Sequence, residues 1–106
     1  MIFGIVTGTV VATRKDDALN GTKLLIVQPV THKMENDGSV LVAIDAVGAG
    51  SGELVLVVKG SSARQTVRTK NTPVDATIMA IIDTIEEGGR ILFDKNKPGL
   101  SYAGKA

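Results

Sequence analysis

The chain has 106 residues, with 12 lysines and arginines, 11 aspartates and glutamates, one histidine and no cysteine. That length fits one domain with a modest core, and the formal charge of +1 lacks the electrostatic footprint of a nucleic-acid or anionic-membrane binder. Without cysteine there is no disulfide, thiol nucleophile or thiolate metal site, in agreement with a reducing cytosol.

Hydrophobic residues make up 43% of the chain, and Phe3, Phe93 and Tyr102 are its aromatics, so the core is expected to be aliphatic. The Val, Ile and Thr content leans towards strands. The opening MIFGIVTGTVV has no positive n-region and is interrupted by Gly4 and Gly8; it reads as neither signal peptide nor membrane span, and a cytoplasmic location is expected.

Ile2 to Thr13 reads as a long curved strand with Gly4 and Gly8 as bend or bulge points. Arg14 to Thr22 is polar and closes on the turn dipeptide Asn20-Gly21, and the apolar run Lys23 to Val30 follows as a second strand. Pro29 places the end of that run on a sheet edge. Thr31 to Ser39 is a polar exposed loop, Val40 to Val47 a third strand and Glu53 to Lys59 a fourth. GSSARQTVR, from Gly60 to Arg68, starts a short helix with Ser61 or Ser62 as N-cap.

Pro73 to Ile85 is ambiguous, because Ile78, Ile81, Ile82 and Ile85 fit helical spacing. The Glu87-Gly88-Gly89-Arg90 turn and the apolar Ile91 to Phe93 beyond it favour two antiparallel strands around Gly88-Gly89. The expected fold is all-β: a small OB-like barrel of five to six strands with one short helix and a C-terminal β-hairpin. The domain spans residues 1–94, and the tail 95–106 is expected to be flexible or packed on a neighbour.

Between the third and fourth strands, VGAGSGE carries glycine at positions 48, 50 and 52, where a partner can approach the backbone closely. It lacks the Gly-Lys-Ser/Thr ending of a P-loop, leaving a tight strand connection or a loop packed around a symmetry axis. His32 has no second histidine at metal spacing and reads as a solvated loop residue. Asp45 and Asp75 read as hydrogen-bond acceptors for nearby backbone amides. Ser61, Ser62 and Arg64 fit a helix cap or an anion site, and Arg14 and Lys15 a solvated patch or a contact with an acidic partner edge. No nucleophile, base and orienting group can be nominated together, so neither an enzyme nor a cofactor is expected.

Three separated segments, GTVVATRKDDALNGTKLLIVQPV, AIDAVGAGSGELVLVVKGSSARQ and PVDATIMAIIDTI, resemble the EutN/CcmL family, the pentameric vertex proteins of bacterial microcompartment shells. The resemblance runs from about Ile2 to Asp94, and its VGAGSGE and GSSARQ elements are specific. It implies an OB-like barrel assembling as a five-fold ring, located in the microcompartment shell, that closes the corners of a polyhedron tiled by hexagonal shell proteins. It further implies that Val47, Gly48, Ala49, Gly50, Ser51, Gly52 and Glu53 lie near the five-fold axis or the adjoining contact, and that Gly60, Ser61, Ser62, Ala63, Arg64 and Gln65 lie at the subunit interface. Contact with the hexagonal tiles is expected at Arg14 and Lys15. The competing expectation is an OB-type module for single-stranded nucleic acid or another anion, a mode that needs stacking aromatics along a basic groove.

Overall fold

In the computed structural model, which describes residues 1–13, 17–19, 21–60 and 75–97, five strands close on themselves around an aliphatic interior. They are β1 (Ile2–Val10), β2 (Leu24–Val30), β3 (Leu41–Asp45), β4 (Leu54–Lys59) and β5 (Ala76–Ile81), in the cyclic order β1-β2-β3-β5-β4. Every neighbouring pair is antiparallel except β3 and β5. Those two run parallel and meet at only two positions, Ile44 with Thr77 and Asp45 with Ile78.

Alternation along the strands explains which side chains face inward. Val6, Leu25, Val27, Ala43, Val55, Val57 and Ile78 fill the interior. The run Leu54 to Val58 in β4 does not alternate with polar residues, because its outer face is covered too. Leu54 packs outside with Ile5, Val30 and Phe93, and Val58 with Ile44, Leu19, Leu24 and Met79.

The two glycines of β1 have different roles. A register shift falls between Val6 and Gly8, as expected for a bulge. Gly4 marks a close approach instead: a Cβ placed there would lie 2.3 Å from Val27 Cγ1. Pro29 lies beyond the last β2–β3 pair, Val27 with Leu41, so no neighbouring strand meets it on that side, although the residue is buried there by the loop that follows β2. Its carbonyl accepts from Asp37 N at 2.9 Å, and since N–H and C=O of one strand residue point the same way, its missing donor faces this loop rather than a ladder partner.

A separate two-stranded sheet, β6 (Thr84–Glu87) and β7 (Arg90–Asp94), forms the C-terminal hairpin. Gly88 and Gly89 have φ of 60° and 81°, the pair of positive values a two-residue type I′ turn requires. Phe93 anchors the hairpin on the barrel's outer face against Ile5, Val30 and Leu54, with Phe3, Met34, Ile82 and Ile85 around it. Near the tip, His32 Nε2 lies 3.3 Å from Glu87 Oε2. His32 therefore faces a carboxylate rather than solvent alone.

One expected strand is divided in two. The segment read as continuous up to Ile85 pairs with β3 and β4 only as far as Ile81, and then breaks at Ile82 and Asp83 before starting the hairpin. The barrel needs a fifth strand to close and the hairpin needs a partner for β7; one straight strand cannot lie in both sheets. A 3-10 turn at Asp17–Leu19 stands within the segment read only as polar turn. The expected helix, apart from Gly60, and most of the tail lie outside the described residues.

Candidate functional site

The connection from β3 to β4 leaves the barrel at Asp45 and re-enters it at Leu54. Asp45 is the last residue of β3, and its side chain is only 2% exposed. Its Oδ1 accepts two backbone hydrogen bonds, from Val47 N and Gly48 N, both at 3.0 Å. A buried carboxylate needs such donors to offset its lost hydration. Taking hydrogen bonds from nearby amides is the role that the sequence assigns to Asp45.

Lys23, immediately before β2, meets the same turn from the neighbouring strand. Its Nζ donates to Ala49 O at 3.0 Å and lies 3.9 Å from Asp45 Oδ2. A backbone bond from Asp45 N to Lys23 O, at 3.0 Å, ties the two strands beneath it. Ala49 is fully buried and joins the interior cluster, so the loop is pinned through its middle as well as at its start.

The second half of the loop is held from the other side. Glu53 Oε1 accepts from Gly50 N at 2.6 Å, Gly52 N donates to Val6 O at 2.7 Å, and Val6 N donates to Glu53 O at 3.0 Å. Gly48 and Gly52 have φ of 78° and 88°, which glycine adopts without steric cost. Gly50 differs: its φ is not left-handed, and a Cβ there would meet only Glu53 Oε1, at 3.5 Å. The glycines at 48 and 52 therefore serve the turn itself, whereas the absence of a side chain at 50 is not demanded by the chain's own packing.

The outer rim of the loop is open to solvent, with Val47, Gly48, Ser51 and Gly52 exposed. Beside it, a cleft of about 300 Å³ lies between Ser51 to Leu54, Ile81, Ile82 and the hairpin's Phe93, Lys95 and Asn96. Lys95 Nζ pairs with Asp83 Oδ1 at 3.0 Å across the base of the hairpin, and the hydrogen bond and charge of Asp83 hold the ammonium above its ordinary range.

Of the other expected positions, Gly60 ends β4 with φ of 68° and donates from its N to Asp75 O at 2.8 Å. Ser61, Ser62, Ala63, Arg64, Gln65, Arg14 and Lys15 lie outside the described residues. The structure thus brings Val47 to Glu53 together as one formed loop and adds Lys23, which sequence reading missed. A lysine heading an apolar strand has no local signal pointing to a carbonyl 26 residues away. Phe3 and Phe93 pack in the hairpin cluster rather than forming the exposed stacking platform that single-stranded nucleic acid needs.

The profile of the family described as ethanolamine utilisation protein EutN/carboxysome matches residues 1–83. The chain is 50% identical over 86 residues to the bacterial microcompartment shell vertex protein GrpN of Rhodospirillum rubrum, covering 81% of this chain and 97% of that one. Among solved structures, CcmL of Gloeobacter violaceus superposes with a TM-score of 0.87 at 39% identity, over 92% of this chain and all of that one. A structure of GrpN, a pentameric microcompartment shell protein from Rhodospirillum rubrum, gives 0.75 at 49% identity, over 82% of this chain and 99% of that one.

Proposed function

Because the chain belongs to the EutN/CcmL family, we propose that it is a structural protein that forms homopentamers and caps the vertices of a polyhedral bacterial microcompartment shell. The observation that carries this reading is the 49% identity to a pentameric shell protein along nearly its whole length. Its role is architectural rather than catalytic. Its partners are further copies of itself and the hexagonal tiles that meet at the vertex.

In a closed ring each subunit offers one face to a different face of its neighbour. Val47 to Glu53 lies near the five-fold axis or the adjoining subunit contact. The small exposed rim of the loop supports that placement, since five copies of any larger or charged group at an axis would crowd and repel. Gly60 to Gln65 contributes to the subunit interface, with Arg64 suited to bridge to a carboxylate or carbonyl, and Arg14 and Lys15 face the tiles.

In the structure Ala76 and Ile78 are buried inside the barrel, and Ile82 and Ile85 pack under the hairpin. Among the described residues, the exposed aliphatics are Val11, Val40, Val42, Val47 and Ile91, and these are candidates for burial on assembly.

Native mass spectrometry at micromolar concentration tests the reading. The expected result is a dominant species of five times the 11.0 kDa chain mass; a strictly monomeric or dimeric protein would overturn it.

A further inference from the structure

The loop at 46–53 is bound at nearly every peptide group by residues of its own subunit. Amides 47 and 48 go to Asp45, amide 50 to Glu53, amide 52 to Val6, and carbonyl 49 to Lys23. All of these bonds lie within one subunit. We infer that Asp45 and Lys23 are positioning residues that set the shape of this loop before any two copies meet, so that the ring closes on a preformed apex. The inference rests on the reading that this loop meets its counterparts in the ring.

Two observations make Asp45 and Lys23 the controlling pair rather than two among many contacts. Asp45 holds a buried carboxylate whose Oδ1 is occupied by the loop's two leading amides, so any rearrangement of the loop would strand a charge in a low-dielectric site. Lys23 approaches from a different strand and holds the next carbonyl while its charge lies against the same carboxylate. Together they fix three successive residues, Val47, Gly48 and Ala49, from two strands.

A loop ordered in advance loses little further freedom on association, and preorganisation of this kind raises affinity without adding a contact across the interface. Neither residue need touch the neighbouring subunit to govern how tightly the ring holds.

The test compares Lys23→Met, which keeps the aliphatic stem, with Asp45→Asn, which keeps the Oδ1 acceptor but not the charge, and with Asp45→Ala, which keeps neither. Ring dissociation is followed by dilution and mass photometry, and the barrel is monitored through the methyl spectrum of its interior residues. Lys23→Met and Asp45→Ala are expected to raise the dissociation concentration about tenfold or more, the scale of a lost hydrogen bond to a charged group. Asp45→Asn should fall between them and the parent. The interior methyl spectrum of Lys23→Met should be unchanged while amides 47, 48 and 50 exchange faster.

Unchanged dissociation and unchanged exchange in Lys23→Met would overturn the inference. Should Asp45→Ala fail to fold, Lys23→Met alone decides, since its head group is half exposed. If Gly50→Glu assembles normally while Lys23→Met still frees the loop amides, the loop's place at the ring contact fails and its internal positioning by Lys23 stands.

Discussion

At the scale of single residues, two separate demands are met by glycine. Gly48, Gly52, Gly88 and Gly89 take backbone angles that other residues adopt at a cost, whereas Gly4 has an ordinary φ and no room. Gly4→Ala forces its new methyl into Val27 Cγ1 across the β1–β2 pair. Overpacking of this kind costs about 1–3 kcal/mol, and thermal unfolding at fixed protein concentration should register it as a lower midpoint with the same β-rich circular dichroism. The sequence shows glycines in β1 but not their separate causes: bulges and contacts look alike until the partner strand is in register. Asp45 was more legible, because an aspartate followed closely by small residues favours local bonds to backbone amides. The lysine that joins it was not, since its target comes near only after β2 and β3 pair.

Among the elements, the C-terminal hairpin shows how a short sheet can be stable without extending the barrel. A two-stranded hairpin alone is marginal, and this one depends on Phe93, 4% exposed, seated on Ile5, Val30 and Leu54. Phe93→Ala is expected to destabilise the protein by about 3 kcal/mol, and protease cleavage near Gly88-Gly89 should accelerate before the barrel unfolds. The Asp83–Lys95 pair at the hairpin base should behave differently. Lys95 is raised in the folded state, so its contribution is fully present below the unfolded value and is lost as pH rises through the folded one. The difference in midpoint between parent and Lys95→Met is therefore expected to stay constant through neutral pH and to close only in the alkaline range. The turn Gly88-Gly89 was readable from sequence; the break at Ile82 and Asp83 was not. An unbroken apolar run does not say which of two sheets its strand joins.

For the whole molecule, the near-neutral charge and the small-residue loop acquire meaning once five copies are considered together. A Cβ at Gly50 would make only ordinary contact with Glu53 Oε1, so the backbone there has room for a side chain to start in Gly50→Glu. With the loop at the ring contact, as proposed, that substitution would bring five carboxylates close together. The expected outcome is loss of the pentamer in native mass spectrometry with the monomer's circular dichroism retained, and normal pentamers would place the loop away from the ring contact. Formation of the ring should also make the thermal midpoint of the parent protein rise with its concentration. The barrel as a class could be read from its short β-branched runs and turn signals, but its closure could not, because closure depends on the brief parallel meeting of β3 with β5.

That meeting acts as a clasp. It holds at two positions, one of them Asp45, with Ala46 N reaching Ile78 O at 3.3 Å just beyond. Asp45 thus belongs both to the pairing that closes the barrel and to the bonds that shape the loop after it. Springing the clasp in one subunit would release the loop in the same event, and a corner of the shell would loosen from inside a single protomer. Hydrogen exchange in the assembled ring is therefore expected to rise together at Ala46, Val47 and Gly48.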